Sequence, residues 1–219
     1  RAKRDPQRTV DLAQQLLTGD ALDRALTVAM KNLIEQNPTA AAETVVRLPE
    51  GGVKTGAMLE VVRALAAERP ATALAWIKTL PPGELRQLAL NNVLDFWSAN
   101  DPRSAGEYVA QMPEGPDQDF AVTHFAKNFG ATDPSNAVRW AESLRGSART
   151  AAVVSIASGW AQKDASAATR WAAALPMDNP ARAEAIKDAL SYWFLQDYEA
   201  ARNFLNNLEQ QDQSNAGPR

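Results

Sequence analysis

The chain has no cysteine and one histidine, His124, in 219 residues. Without Cys there is no disulfide, no thiolate nucleophile and no Cys-ligated zinc or iron–sulfur centre. A single His excludes a His-pair metal site and leaves any Ser-His-Asp arrangement dependent on His124 alone. Basic excess is also lacking: 23 Lys and Arg against 26 Asp and Glu is not the footprint of a nucleic-acid binder. No apolar run approaches the roughly 18–20 residues of a membrane span. Strand-like alternation of any length is missing. No Gly-x-Ser-x-Gly elbow occurs. Gly51-Gly52-Val53-Lys54-Thr55 lacks the Gly before Lys and the preceding strand that a phosphate-binding loop requires.

What the chain does have is 6 Trp and 13 Pro, and their positions are periodic. Asp5-Pro6, Asn37-Pro38, Arg69-Pro70, Asp101-Pro102 and Asp133-Pro134 recur at steps of 32, and degenerate copies follow at Asp164-Ala165 and Asp197-Tyr198. Six residues past the Pro position stand Leu12, Thr44, Trp76, Tyr108, Trp140, Trp171 and Phe204. Ten past it stand Leu16, Leu48, Leu80, Met112, Leu144, Leu175 and Leu208, followed by Pro in four copies. Late in each copy come an all-Ala column (Ala25, Ala57, Ala89, Ala121, Ala152, Ala185) and a bulky column (Leu33, Leu65, Trp97, Phe129, Trp160, Trp193).

Each copy reads as a helical hairpin. Helix A opens on an Asp or Asn N-cap with Pro at its first position, a preorganised start. It closes near the Leu-Pro pair, because Pro disfavours helix in the residue before it. Helix B runs about 15 residues to the next Asp-Pro. One such hairpin cannot bury its apolar face alone, so neighbours must stack. The aromatic columns are expected to fill the space between hairpins, and the all-Ala column to mark a close helix approach. The reading is an all-α fold of about six and a half hairpins, forming one repeat domain over residues 1–219. Copy one, poorer in aromatics, is expected to act as an N-terminal cap. Residues 209–219 are polar and aperiodic and are expected to be a disordered tail.

The period and the six-residue spacing from Pro to a large aromatic, as in Pro70 to Trp76 and Pro134 to Trp140, resemble the tetratricopeptide (TPR) repeats. The resemblance covers residues 5–208. It departs from that family in lacking the Leu-Gly pair and Tyr of helix A, and in carrying Trp or Phe where a small residue is expected late in helix B. The resemblance implies a TPR-like α-solenoid, a right-handed superhelix, that binds protein or peptide and has no chemistry of its own. It would place a groove on the residues four and seven past the Pro. Here these include Val10, Ala42, Leu74, Val45, Ile77 and Val109, which read as packing residues.

Two polar columns are the candidate partner surface. Sixteen before each Pro position stand Leu22, Lys54, Arg86, Gln118, Arg149 and Arg182. They form either a strip for an anionic partner or a set of side chains that reach back to bond the free carbonyls ending helix A. The second alternative is the simpler one. Five past the Pro stand Glu43, Glu107, Arg139 and Arg170 among others, on the expected solvent face. His124 reads as a structural residue inside helix B. Glu114, Asp117 and Asp119 read as a solvated turn and helix N-terminus.

No catalytic, cofactor-binding or metal-binding residue is expected, nor a nucleic-acid partner or membrane insertion. The expected function is a non-enzymatic scaffold for protein or peptide binding. The alternatives are an architectural spacer or self-assembling solenoid, and an accessory domain of a longer enzyme. The lack of Cys suits an extracytoplasmic compartment. The basic start Arg1-Ala2-Lys3-Arg4 suits either a solvated terminus or the stub after an upstream anchor.

Overall fold

A computed structural model describes residues 6–215. Asp5, the basic stub before it and residues 216–219 lie outside the described residues. Those described form an all-helical repeat arrangement with no strand. Helices A are α1 (Pro6–Leu16), α3 (Pro38–Val45), α5 (Pro70–Ile77), α7 (Pro102–Gln111), α9 (Pro134–Ser143) and α12 (Tyr198–Asn215). Helices B are α2 (Gly19–Gln36), α4 (Gly52–Glu68), α6 (Glu84–Asn100), α8 (Pro116–Thr132) and α11 (Arg182–Gln196). Helix α10 (Gly146–Ala173) joins a helix B to the following helix A across Asp164, whose φ of −144° and ψ of 86° are not helical.

The starts of helix A are made as the sequence implies. The carboxylate or amide oxygens of Asn37, Asp101, Asp133, Asp164 and Asp197 accept from the backbone N–H groups of Ala40, Ser104, Asn136, Ala167 and Ala200, at 2.9–3.1 Å. The break at Asp164 is therefore the same Asx cap without its Pro. Arg69 has no side-chain acceptor and begins α5 through extended backbone and Pro70 alone. The hairpin turns add a column that composition did not reveal. Gly51, Gly83 and Gly115, at 32-residue steps, hold φ of 147–148°, a region other residues avoid. Gly19 stands in the same register with φ of 56°, and Gly146, one residue short of it, has φ of 54°.

The molecule divides into two compact units, residues 1–100 and 101–219, so the boundary falls at the end of a hairpin. In the first unit α2 packs on α4 and α4 on α6, while α3 and α5 each lie between two helices B. Its core is Leu26, Met30, Val45, Met58, Val61, Leu65 and Leu94. In the second unit α8 packs on α10 and α10 on α11; α9 lies between α8 and α10. Phe125 and Ile156 are its largest fully buried side chains.

The bulky columns meet between hairpins. Trp171 faces Trp160 at 5.9 Å between ring centres and Phe204 faces Trp193 at 5.3 Å, while Trp140 meets Phe125, one turn before the column's Phe129, edge-on at 4.8 Å. Trp140 also donates from Nε1 to the carbonyl of Gly106 at 2.9 Å, satisfying the polar edge of a half-buried indole. Ala89, Ala121, Ala152 and Ala185 are fully buried, Ala57 nearly so, and Ala25 is half-buried.

One expectation is corrected. Residues 209–215 are not a disordered tail: α12 continues through them to Asn215. Its outer part is tied down by Asp212, which takes a two-pronged bond from Arg182 at 2.9 and 3.0 Å; a lone acid among polar residues carries no periodic signal of such a partner. The exposed residues of α1 are the polar Arg8, Thr9, Asp11, Gln14 and Gln15 together with two leucines. Leu12 and Leu16 on α1 are 44% and 75% exposed.

Candidate functional site

The basic column is mostly structural in its bonding. Lys54 Nζ donates to the carbonyl of Val46 at 3.0 Å and to Glu50 at 2.6 Å. Arg86 donates to the carbonyl of Leu80 at 3.1 Å. Gln118 Nε2 donates to the carbonyl of Met112 at 2.9 Å, and Arg182 reaches the carbonyl of Ala173 at 3.2 Å. Each of these side chains closes the open C-terminal end of the helix A before it, where four carbonyls lack helical partners. Arg149 differs: it is exposed and lines a cleft with Asp178 and Asn179. Its hairpin has no Leu-Pro turn; α9 passes through Leu144 and Arg145 straight into α10.

The solvent column is placed as its spacing implies. Glu43, Glu107, Arg139 and Arg170 are all exposed. Glu107 pairs with Arg103 at 3.1 Å, Arg139 donates to Asn136 at 2.6 Å, and Arg170 lies over the Trp193 ring at 5.4 Å. Such exposed pairs contribute little to stability. Glu43 belongs to the first unit and the other three to the second, so no single surface gathering all four is described.

Most positions four and seven past the Pro are packed, with Arg202 exposed and Val138 and Leu205 half-buried. Val10, Ala42, Leu74, Val45, Ile77 and Val109 are buried, so they line no open groove. His124 is half-buried, 3.2 Å from Asn128 and stacked on Phe120. Among the described residues no group of three or more His, Asp or Glu could hold a metal ion. Glu114 and Asp119 instead share a polar cleft with Gln118 and Arg145.

An apolar depression lies in the first unit, between α2 and α4. It has a volume of about 590 Å³. Met30, Ile34, Val53, Gly56 and Ala57 form its walls and floor, and Lys31, Glu35 and Glu60 its charged rim. Gly56 lies at its edge, where a β-carbon would meet nothing within 4 Å. The position just before the all-Ala column is variable, Arg24, Gly56, Leu88, Phe120, Ala151 and Glu184 in turn, so copy two alone presents no side chain there.

No protein-family model, no curated protein and no solved structure matches this chain. No helix among the described residues is long and apolar enough to cross a membrane.

Proposed function

We propose that the chain is a non-enzymatic, TPR-like helical-repeat scaffold that binds a protein or peptide, with the α2–α4 groove as its binding site. The observation that carries this reading is the groove itself. An apolar floor inside a ring of Lys31, Glu35 and Glu60 has the anatomy of a recognition pocket, with a desolvated centre and a polar rim. The lining of Met30, Ile34, Val53 and Ala57, left open at Gly56, suits a ligand that presents one large apolar side chain. Lys54, Arg86 and Arg182 are spent on closing helix ends and Glu107 and Arg139 on solvated pairs, which directs recognition to this groove.

The test compares crosslinking capture by the wild-type chain and by Gly56→Leu, which fills the groove from within. A saturable partner captured by the wild type and lost in a folded Gly56→Leu supports the reading. Capture that is equal in both, or no saturable partner, overturns it.

A further inference from the structure

The polar cleft of the second unit borders a shortened hairpin turn. The step from the residue that ends helix A to the turn Gly is three residues in Leu48–Gly51, Leu80–Gly83 and Met112–Gly115, but two in Leu144–Gly146. Arg145 there takes the place of Pro. The cleft lies between this turn and the one before it, with a volume of about 770 Å³. Buried Met112, Gln118 and Leu144 line it. The earlier turn contributes Glu114 and Asp119, and the shortened one Arg145, Ser147 and the start of α10. That start is open. Arg145 caps no backbone N–H with its side chain, and the first turn of α10 has no acid. Among the described residues Arg145 forms no ion pair with Glu114 or Asp119, so charges of both signs line one cleft uncommitted to each other.

Gln118 is the odd member of its column. Closing the end of helix A needs only a donor, and Lys54, Arg86 and Arg182, which carry no acceptor, do it. Gln118 does it with Nε2, which donates to the carbonyl of Met112 at 2.9 Å. That bond fixes which end of the amide faces Met112 and leaves Oε1 as a surplus acceptor. Gln118 is only 7% exposed, it lines the cleft, and its Oε1 accepts no bond among the described residues. A nearly buried acceptor without a donor is unfavourable. The donor that suits it is cationic, because Glu114 and Asp119 line the same cleft. A guanidinium, with its N–H groups spread in one plane, serves Oε1 and the carboxylates together. Arg145, Ser147 and the positive end of the α10 dipole suit an anionic group on the same ligand.

We infer that this cleft binds a basic residue that carries a free carboxylate. Its arginine-type side chain lies against Gln118 Oε1, Glu114 and Asp119, and its carboxylate against Arg145, Ser147 and the start of α10. Such a residue is either the free amino acid or the last residue of a chain. The cleft is large enough for it, being within the usual range of small-molecule sites. The site lies within the second unit and does not rest on the α2–α4 groove.

Amide chemical shifts of the full chain, followed by NMR, test the inference. The probes are free L-arginine and an N-acetylated Ala-Ala-Arg tripeptide with a free carboxylate, each added at up to about 10 mM, which covers the affinity of a few charge-assisted bonds. The expected result is a saturable shift of residues 114–119 and 145–148 with at least one probe. A shift with free arginine alone assigns the site to the amino acid, and one with the tripeptide assigns it to a chain end. Gln118→Lys keeps a donor for the carbonyl of Met112, as Lys54 does for Val46, but removes Oε1. It should retain the thermal midpoint and weaken binding by about tenfold or more. Arg145→Gln, at an exposed position, should weaken it by a similar factor. Agmatine and the amidated tripeptide, which lack the carboxylate, should bind the wild type no better than the probes bind Arg145→Gln. The inference is overturned by the lack of a saturable shift with either probe, by shifts confined to other residues, by equal affinity in a folded Gln118→Lys, or by equal binding of the carboxylate-free compounds. If Gln118→Lys does not fold, the exposed substitutions Asp119→Asn and Arg145→Gln decide the question, and unchanged affinity in both overturns it.

Discussion

A β-carbon on Gly130 would lie 2.6 Å from the carbonyl oxygen of Ile156. The relationship is reciprocal across the same crossing, since a β-carbon on Gly159 of α10 would collide with the carbonyl of Lys127 on α8. Two helices B meet there backbone to backbone, with no flexible side chain to give way. Gly159→Ala gains about 1 kcal/mol in helix propensity but must push the helices apart. The net expectation is a loss of about 3 kcal/mol, the upper part of the ordinary overpacking range. Chemical denaturation measures it; an unchanged or raised midpoint would show that the crossing is looser than described.

Gly56 predicts the opposite sign for a larger change. Its surroundings are open, it lies inside α4, and Gly in a helix interior is unfavourable. Gly56→Leu should stabilise the chain by about 0.5–1 kcal/mol while filling the groove. Thermal unfolding followed by circular dichroism checks this, and a lower midpoint would mean that the added side chain meets neighbours. The pair Gly159→Ala and Gly56→Leu separates glycines kept for packing from a glycine whose absence of a side chain leaves a hole.

The fold was legible because its signals repeat. Asp101 and Asp133 cap α7 and α9 as their sequence implies, and even the degenerate Asp164 holds the same cap with Ala167. Periodicity averages away the ambiguity of any one helix boundary. The same averaging hides what is particular to one copy. Copies one and five lack the Leu-Pro pair, and the exposed Leu16 and the exposed Arg149 arise there, while the open edge of the α2–α4 groove is particular to Gly56. The turn glycines are a separate case. Gly51, Gly83 and Gly115 keep one register, but the need for positive φ is a backbone property that hydrophobic patterning does not display.

The Asx caps carry a pH dependence. The side-chain amide of Asn136, and then its backbone N–H, hold the Asp133 carboxyl below its ordinary value. Ser104 does the same for Asp101 through its side chain and then its backbone. A carboxyl depressed by folding adds stability above its unfolded value and loses it as pH falls through the folded one. The window is therefore the acid side of the ordinary carboxylate range. Asp133→Asn keeps an acceptor for the backbone N–H of Asn136 but cannot titrate. Between pH 5 and pH 2, on the order of the ordinary carboxyl range and below, its midpoint should fall less than that of the wild type. Parallel profiles would assign the acid sensitivity to other groups.

Arg182 binds the second unit's last two elements together. Its guanidinium donates to the carbonyl of Ala173 at the end of α10 and to both oxygens of Asp212 on α12. The Arg side chain is mostly buried and the Asp partly so, at 11% and 27% exposed. A fork of this kind fixes geometry as well as charge. Asp212→Ala leaves Arg182 bonded to Ala173 but removes the only ion pair recorded between α11 and the outer part of α12 among the described residues. The loss should be about 1–2 kcal/mol, near the lower end of what a charge-assisted bond contributes. It should be local, with amide exchange accelerating over residues 206–215 while α8 stays protected. Uniformly faster exchange would make α12 part of the core's cooperative unit, and no change at all would mean that packing of Phe204 and Leu208 suffices to hold the helix.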